Sequence, residues 1–143
     1  AQPFKTVKDY DNWLARAGKV PELFDTMIAN MREGMEAGVV QPKVLMQKVL
    51  PQVTAIPSED VTKSMFWQPI ANMPAEFSDR DRKRLEKAFR KLIERKLDPA
   101  YRELATFVEK EYLPACRDTV ALSALPNGEA WYAYRVRVMT TTD

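Results

Sequence analysis

The chain has 143 residues, of which 45% are apolar and 29% charged, and its formal net charge is +2. This composition is ordinary for one globular domain and excludes wholesale disorder, while the nearly balanced charge excludes an obligate polyanionic partner. We therefore predict a single helical domain over residues 1–143 with no nucleic-acid partner. No apolar run is long enough for a transmembrane segment.

The sequence contains no histidine and a single cysteine. Histidine is the usual general base near neutral pH and the commonest ligand for zinc, copper and iron. A Ser-His-Asp triad, a Cys-His pair and a two-His zinc helix therefore cannot be built from this chain. Metal binding by carboxylates alone and catalysis by Lys, Tyr, Asp or Glu remain open, but we predict no catalytic residue, no metal ligand and no cofactor within the chain. Cys116 excludes an internal disulfide and is expected to be a structural side chain; a reactive thiol is the alternative, without a histidine partner.

Scarce glycine (4 residues) and plentiful proline (10 residues) favour helices separated by proline-led turns. We predict an all-α fold, an irregular bundle of five to seven helices.

In the first half of the chain, apolar residues recur at helical spacing in three segments. A first helix runs over 6–17 and stops at Gly18, and a second follows Pro21 to about Gly38, with three methionines on its stripe. These methionines are expected in the core, with a partner-binding groove as the alternative. Pro42 opens a third helix, which Pro51 should kink or end. Ser58 is then expected to cap a short helix over 59–67, whose residues 65–67 anchor it in the core.

In the second half, Ser78 caps the clearest amphipathic helix, with its apolar stripe on Leu85, Ala88, Phe89, Leu92 and Ile93. Asp98-Pro99 is expected to end that helix and begin the next, with Pro114 near the end of the latter. Residues 125–128 form a turn. Residues 129–139 have strand-favouring aromatic and β-branched side chains, but the helical neighbours favour a helix.

The segment 80–96 holds nine basic residues against three acidic ones. It indicates either a solvated helix face or a surface that contacts nucleic acid or an anionic membrane. Its cations lie mostly opposite the apolar stripe, which favours the solvated face. A second cluster, Tyr132, Tyr134, Arg135 and Arg137, indicates either ordinary packing with a surface rim or the lining of a cleft for an anionic or peptidic group.

Several strings in register carry a resemblance to a known family. They are residues 28–42, 98–104, 111–117 and 125–132, the last followed by the Thr-Thr-Thr-Asp string at 140–143. In this order and spacing the chain resembles bacterial domain-of-unknown-function family 885. These are large, mostly helical proteins, often secreted or lipid-anchored, that look like zinc metallopeptidases of the HExxH type.

The resemblance implies that the two histidines and the glutamate of the zinc helix lie downstream of the 140–143 string. This chain is then expected to be a fragment of a larger protein, and zinc is expected in the missing C-terminal part. The expected function is a non-catalytic helical portion of a zinc-dependent peptidase, which forms part of a substrate-cleft wall. The cleft candidates are Tyr132, Arg135, Thr140 and Thr141.

The expected partner of the chain is the remainder of the parent polypeptide, with a homodimer through exposed apolar surface as a further expectation. The family resemblance implies a periplasmic or membrane-anchored lipoprotein. The alternative function is a stand-alone interaction module that binds a partner protein or an anionic surface through the basic helix 80–96.

Overall fold

The computed structural model describes residues 3–140. Within this range the fold is all-α, as predicted, and contains five long helical segments and several single turns. The α-helices are α1 (Val7–Ala17), α2 (Val20–Glu36), α3 (Lys43–Thr54), α4 (Gln68–Ala71), α5 (Asp79–Leu92), α6 (Asp98–Phe107), α7 (Leu113–Ala115) and α8 (Gly128–Met139). Short 3₁₀ turns cover Val61–Lys63, Met65–Trp67 and Leu122–Ala124.

The ends of the first helices follow from their residues. Thr6 caps α1 through a capping box, in which the Thr6 hydroxyl accepts from the Asp9 N–H and the Asp9 carboxylate accepts from the Thr6 N–H. The end of α2 is a Schellman motif: the Gly38 N–H donates to Met35 O (3.2 Å) and the Val39 N–H to Gly34 O (2.7 Å). Gly38 has φ +71°, which glycine adopts without strain.

Helices α5, α6 and α7 form one uninterrupted helical run from residue 79 to 115, called here the long helix, about 55 Å in length at ~1.5 Å per residue. The predicted break at Asp98-Pro99 is wrong. A π-helical turn, Ile93–Leu97, precedes Pro99, and a second, Val108–Tyr112, precedes Pro114. Because a wider turn relieves the clash of a proline ring with the preceding turn, the helix continues past both prolines.

Two hydrophobic clusters hold the other elements against the long helix. The first joins α1, the 61–70 segment and the first half of the long helix, around the fully buried Tyr10, Leu85, Phe89 and Ile93. The second joins α2, α3 and the second half, around Ile28, Met46, Phe107, Val108 and Tyr112. The long helix is thus the common wall of two small cores.

Two further expectations concern the middle of the chain. Pro51 does not end α3, which continues to Thr54, and a kink at Pro51 stays a prediction. Ser58 is not a helix N-cap. Two 3₁₀ turns, capped by Asp60 and Ser64, replace the expected 59–67 helix. Of the three anchoring residues, Trp67 is buried and Phe66 half-buried, but Met65 is 60% exposed.

Of the three α2 methionines, Met31 and Met35 pack against the second cluster, as expected, whereas Met27 is 40% exposed. Cys116 is buried in the same cluster, and burial raises the pKa of its thiol. A raised pKa disfavours the nucleophilic thiolate, which agrees with a structural role for this side chain.

Candidate functional site

The C-terminal helix α8 is held to the rest of the molecule at its first turn. Asn127 takes the left-handed conformation (φ 55°), which turns the chain into α8. Gly128 is buried, and a Cβ there would collide with the backbone of Leu122 and Ser123. Glycine is therefore required where α8 crosses the 3₁₀ turn Leu122–Ala124, and from this point the helix extends into solvent.

Large apolar and aromatic side chains of α8 are exposed. The exposed fractions are 53% for Trp131, 60% for Tyr132, 61% for Tyr134, 59% for Val138 and 77% for Met139. A surface helix normally buries one apolar stripe and exposes a polar face. Here the apolar residues spread over more than half of the helix circumference, so α8 lacks an ordinary solvated face.

One side of α8 bears an open apolar depression of about 500 Å³, lined by Asn127, Ala130, Trp131 and Tyr134. Val138 extends the same side of the helix by one turn. Tyr132 lies about 100° from Trp131 around the helix axis, and Arg135 lies between the two, because successive residues of an α-helix are about 100° apart. The helix thus presents an apolar side and an aromatic-basic side.

The predicted cleft residues fall on this second side or at the helix end. Tyr132 and Arg135 are three residues apart, and both are exposed. Thr140 is the C-cap residue, and its hydroxyl donates to Val136 O at 2.7 Å. Thr141 lies outside the described residues. The structure therefore places Tyr132 and Arg135 side by side, with Thr140 beyond them at the end of the helix.

Among residues 3–140, no group of three or more acidic, cysteine or histidine side chains is arranged to hold a metal ion. The chain has no histidine, and the carboxylates of the described residues do not converge in a group of three. The described residues therefore do not fit the catalytic zinc that the family resemblance implies, because such a site needs three convergent protein ligands.

Several cations of the 80–96 segment are used within the fold. Arg82 donates to the carbonyl oxygens of Phe77 and Pro74. Arg84 makes a two-pronged ion pair with Asp11, with N···O distances of 2.8 and 3.1 Å. Arg90 stacks over Trp67 at 5.3 Å and pairs with Glu94 at 3.4 Å.

Four other cations of α5, Arg80, Lys83, Lys87 and Lys91, are exposed. Their spacing of three, four and four residues places them along one side of the helix. We call these four residues the basic stripe. Within the described part of the chain, none of them forms a hydrogen bond or an ion pair.

A shallow groove follows the contact between α2 and the long helix. It consists of two adjoining hollows of about 290 and 390 Å³, which share Asp25, Ile28 and Glu103. In its floor Arg32 pairs with Glu111 through two contacts of 3.0 and 2.9 Å and lies over Phe107 at 5.1 Å. The Arg32 guanidinium lowers the pKa of the Glu111 carboxyl. These contacts clamp α2 to the long helix, so we assign the pair a structural role.

One buried carboxyl group stands apart from these surfaces. Asp98, at the junction of the first π turn and α6, is 4% exposed. Its Oδ1 atom has no hydrogen-bond partner among the described residues. Burial raises the pKa of this carboxyl, against the lowering effects of the Ser58 backbone and of Arg102. Asp98 is therefore a buried acidic group without full hydrogen-bond compensation.

The comparison with protein families covers the whole chain. The family described as "Bacterial protein of unknown function (DUF885)" matches residues 1–143. The chain belongs to this family. No curated protein and no solved structure matches it. In the described part of the DUF885 chain, no helix is long and apolar enough to cross a membrane.

Sequence reasoning found α8 and its aromatic-basic residues but not the long-range pairs. The Arg84–Asp11 and Arg32–Glu111 ion pairs join residues 73 and 79 positions apart. Nothing in local spacing indicates such pairs. The buried position of Asp98 was equally hidden, since an Asp-Pro sequence usually marks a helix start on the surface.

Proposed function

We propose that this DUF885 domain is a non-catalytic helical portion of a bacterial zinc-dependent peptidase, in which it forms part of the wall of the substrate cleft. The observation that carries the proposal is the exposure of α8, whose five largest apolar side chains are all more than half exposed. The peptidase class and the zinc rest on the family resemblance.

The exposure of α8 supports enclosure by further polypeptide of the same protein. Fully burying one large apolar side chain contributes about 1.5–3 kcal/mol, so enclosing the half-exposed Trp131, Tyr134 and Val138 would contribute on the order of 3 kcal/mol. Apolar residues spread around a helix are typical of a helix surrounded by protein, whereas a membrane-surface helix has one apolar side and one polar side.

The two sides of α8 suggest separate tasks. The apolar side, with Trp131 and Tyr134, is the docking surface for the enclosing polypeptide. The aromatic-basic side, with Tyr132 and Arg135, faces the cleft together with Thr140 and Thr141. A guanidinium, a phenol and threonine hydroxyls can hydrogen-bond the carbonyl and carboxylate oxygens of a peptide. These residues would position substrate, and the metal ligands would lie outside residues 3–140.

The resemblance also carries the proposed location, a periplasmic protein or a membrane-anchored lipoprotein. We also propose that the isolated chain forms a homodimer through α8, because its exposed apolar surface can then pack against a second copy.

The accessibility of Trp131 tests the enclosure. Acrylamide quenching of tryptophan fluorescence is compared between the 143-residue chain and the natural gene product, with Trp131→Phe variants of both to isolate its signal. We expect Trp131 to be quenched in the isolated chain and protected in the natural product. Equal quenching in both would contradict enclosure of α8.

A second candidate function has its own observation, the basic stripe. Four exposed cations on one side of α5 lack counter-charges within the described residues. The chain would then be an interaction module that binds a partner protein or an anionic surface through α5. Binding of this kind weakens steeply with added salt, whereas apolar docking through α8 does not.

A further inference from the structure

A row of acidic residues on α2 is opposite in charge to the basic stripe. Glu22, Asp25, Glu33 and Glu36 are all exposed and lie along one side of α2. They occupy steps of three, eight and three residues, with the small Ala29 in the gap. We call these four residues the acidic stripe. The basic stripe follows steps of three, four and four along α5, so the two rows are opposite in charge but differ in spacing.

The two stripes do not neutralise each other within one molecule. No ion pair joins α2 to α5 in the described part of the chain. Glu22 pairs with Lys19 on its own helix, and the other three acidic residues have no ionic partner among the described residues. Each stripe therefore keeps at least three side chains that have no ionic partner among the described residues.

The basic stripe repels itself. Lys83 and Lys87 are four residues apart, as are Lys87 and Lys91, and like charges at this spacing destabilise a helix. An anionic partner would relieve this repulsion. A solvated stripe needs no such partner, but the acidic stripe on a second exposed helix offers one of opposite charge.

From this charge complementarity we propose that the partner of the basic stripe is a second copy of this chain. In a twofold dimer the basic stripe of each copy lies along the acidic stripe of the other, so that one contact is made twice. The spacing of the acidic stripe is the same when counted from either end. The α5 helix of one copy can therefore lie parallel or antiparallel to α2 of the other. This inference names the partner for the second candidate function.

The exposed side of α5 favours a protein partner over a membrane or a nucleic acid. Its large apolar residues Leu85, Phe89 and Leu92 are buried, so none of them is available to insert into a lipid surface or to stack on bases. Outside residues 80–96 the sequence is net acidic, which opposes binding to any extended polyanion.

Exposed ion pairs are individually weak, so the dimer is weak and salt-sensitive. Sedimentation equilibrium of the 143-residue chain is measured at about 25 mM and about 500 mM NaCl, where the screening length differs several-fold. We expect at least about a tenfold rise in the dimer dissociation constant at the higher salt concentration. Association that is unchanged or stronger in salt would overturn the proposal and indicate the apolar surface of α8 instead.

Charge reversal supplies the decisive variants. One triple variant carries Lys83→Glu, Lys87→Glu and Lys91→Glu, and the other carries Asp25→Lys, Glu33→Lys and Glu36→Lys. Each is expected to lose the salt-sensitive association at low salt, because like charges then face each other. An equimolar mixture is expected to regain association, since the reversed stripes match. A control triple, Lys8→Glu, Lys48→Glu and Lys110→Glu, makes the same charge change elsewhere and should still dimerise.

Circular dichroism checks that every variant is folded before the mixing experiment. Monomeric wild-type chain at low salt, or a mixture that stays monomeric, would overturn the proposal. Binding of the wild-type chain to anionic vesicles, without self-association, would overturn the proposal and assign the basic stripe to a membrane. The enclosure of α8 is read from Trp131 quenching, so either proposal can fail without the other.

Discussion

At the scale of single residues, Tyr10 shows how one side chain organises the first cluster. It is fully buried, its ring makes edge contacts with Phe4 and Phe77, and its hydroxyl donates to Pro69 O at 2.9 Å. The ring therefore fills the core while the hydroxyl satisfies a backbone carbonyl of the 68–71 helix. A phenylalanine would keep the packing and lose the hydrogen bond.

We expect Tyr10→Phe to lower the free energy of unfolding by about 1–2 kcal/mol, because the Pro69 carbonyl loses its donor. Thermal and urea unfolding measure the change. Tyr134→Phe is the matched control, since Tyr134 is 61% exposed, and it should leave stability unchanged. Equal effects of the two substitutions would show that the hydroxyl bond contributes nothing.

Asp98 is the residue with the clearest pH dependence. Its folded-state pKa is raised by burial, so ionisation of Asp98 costs more in the folded than in the unfolded chain. This cost is absent when pH is below the unfolded pKa, where both states are protonated. It grows as pH rises from the unfolded pKa through the folded pKa, and it is complete above that value.

We predict that Asp98→Asn stabilises the chain at pH 7 by about 1 kcal/mol, or roughly 3 °C in melting temperature for a chain of this size. The amide has nearly the same shape as the carboxyl, and the buried charge is gone. The gain should shrink towards zero near pH 3. Melting curves at both pH values provide the measurement, and a loss of stability at pH 7 would contradict this account of Asp98.

At the scale of elements, the sequence predicted where helices begin better than where they end. Thr6, Pro42 and Ser78 were recognised as helix starts, because caps and first-turn prolines act locally. The Gly34 and Gly38 pair was likewise recognised as a helix end. Tertiary packing decided the cases that local rules missed, and Pro51 and Pro99 are the two examples.

The continuity of the long helix has a physical reason. Ile93, Leu97, Ala100 and Leu104 are all buried and continue one apolar stripe across Asp98-Pro99. Burial of this stripe in the two clusters outweighs the hydrogen bond that Pro99 cannot donate. The π turn absorbs the mismatch, and such turns have no distinct sequence pattern, so the prediction of a break was wrong.

The end of α2 provides a prediction at this scale. Gly38→Ala places a Cβ in the left-handed region (φ +71°), which costs about 1–2 kcal/mol. We expect the melting temperature to fall by about 2–4 °C per kcal/mol lost. Gly38→Asn is the matched control, because asparagine tolerates this conformation better, and its loss should be smaller. A larger loss with asparagine would argue against backbone conformation as the cause.

At the scale of the whole molecule, α8 is the element that the two clusters leave outside. The helix itself was predicted, as were its aromatic and basic residues. Its exposure could not be read from the sequence, because Trp131, Tyr132, Tyr134 and Val138 have the composition of a buried segment. The sequence indicates which side chains favour burial. The arrangement of the two clusters shows that those of α8 are exposed.

We therefore predict that Trp131→Ser together with Tyr134→Ser reduces self-association and binding of a hydrophobic dye by the isolated chain. The melting temperature of the clusters should change by less than about 1 °C, since exposed side chains contribute little to stability. Sedimentation at high salt isolates this apolar association from the charged stripes. Unchanged dye binding would show that the α8 surface is not the apolar patch that the structure presents.

The measurement that tests the central proposal most directly is the intact mass and zinc content of the natural gene product, purified from its host. We expect a mass well above the 16.5 kDa of this chain, with one zinc ion bound by residues outside it. A natural product of 16.5 kDa without zinc would contradict the peptidase assignment and would leave the charged stripes of α2 and α5 as the basis of its function.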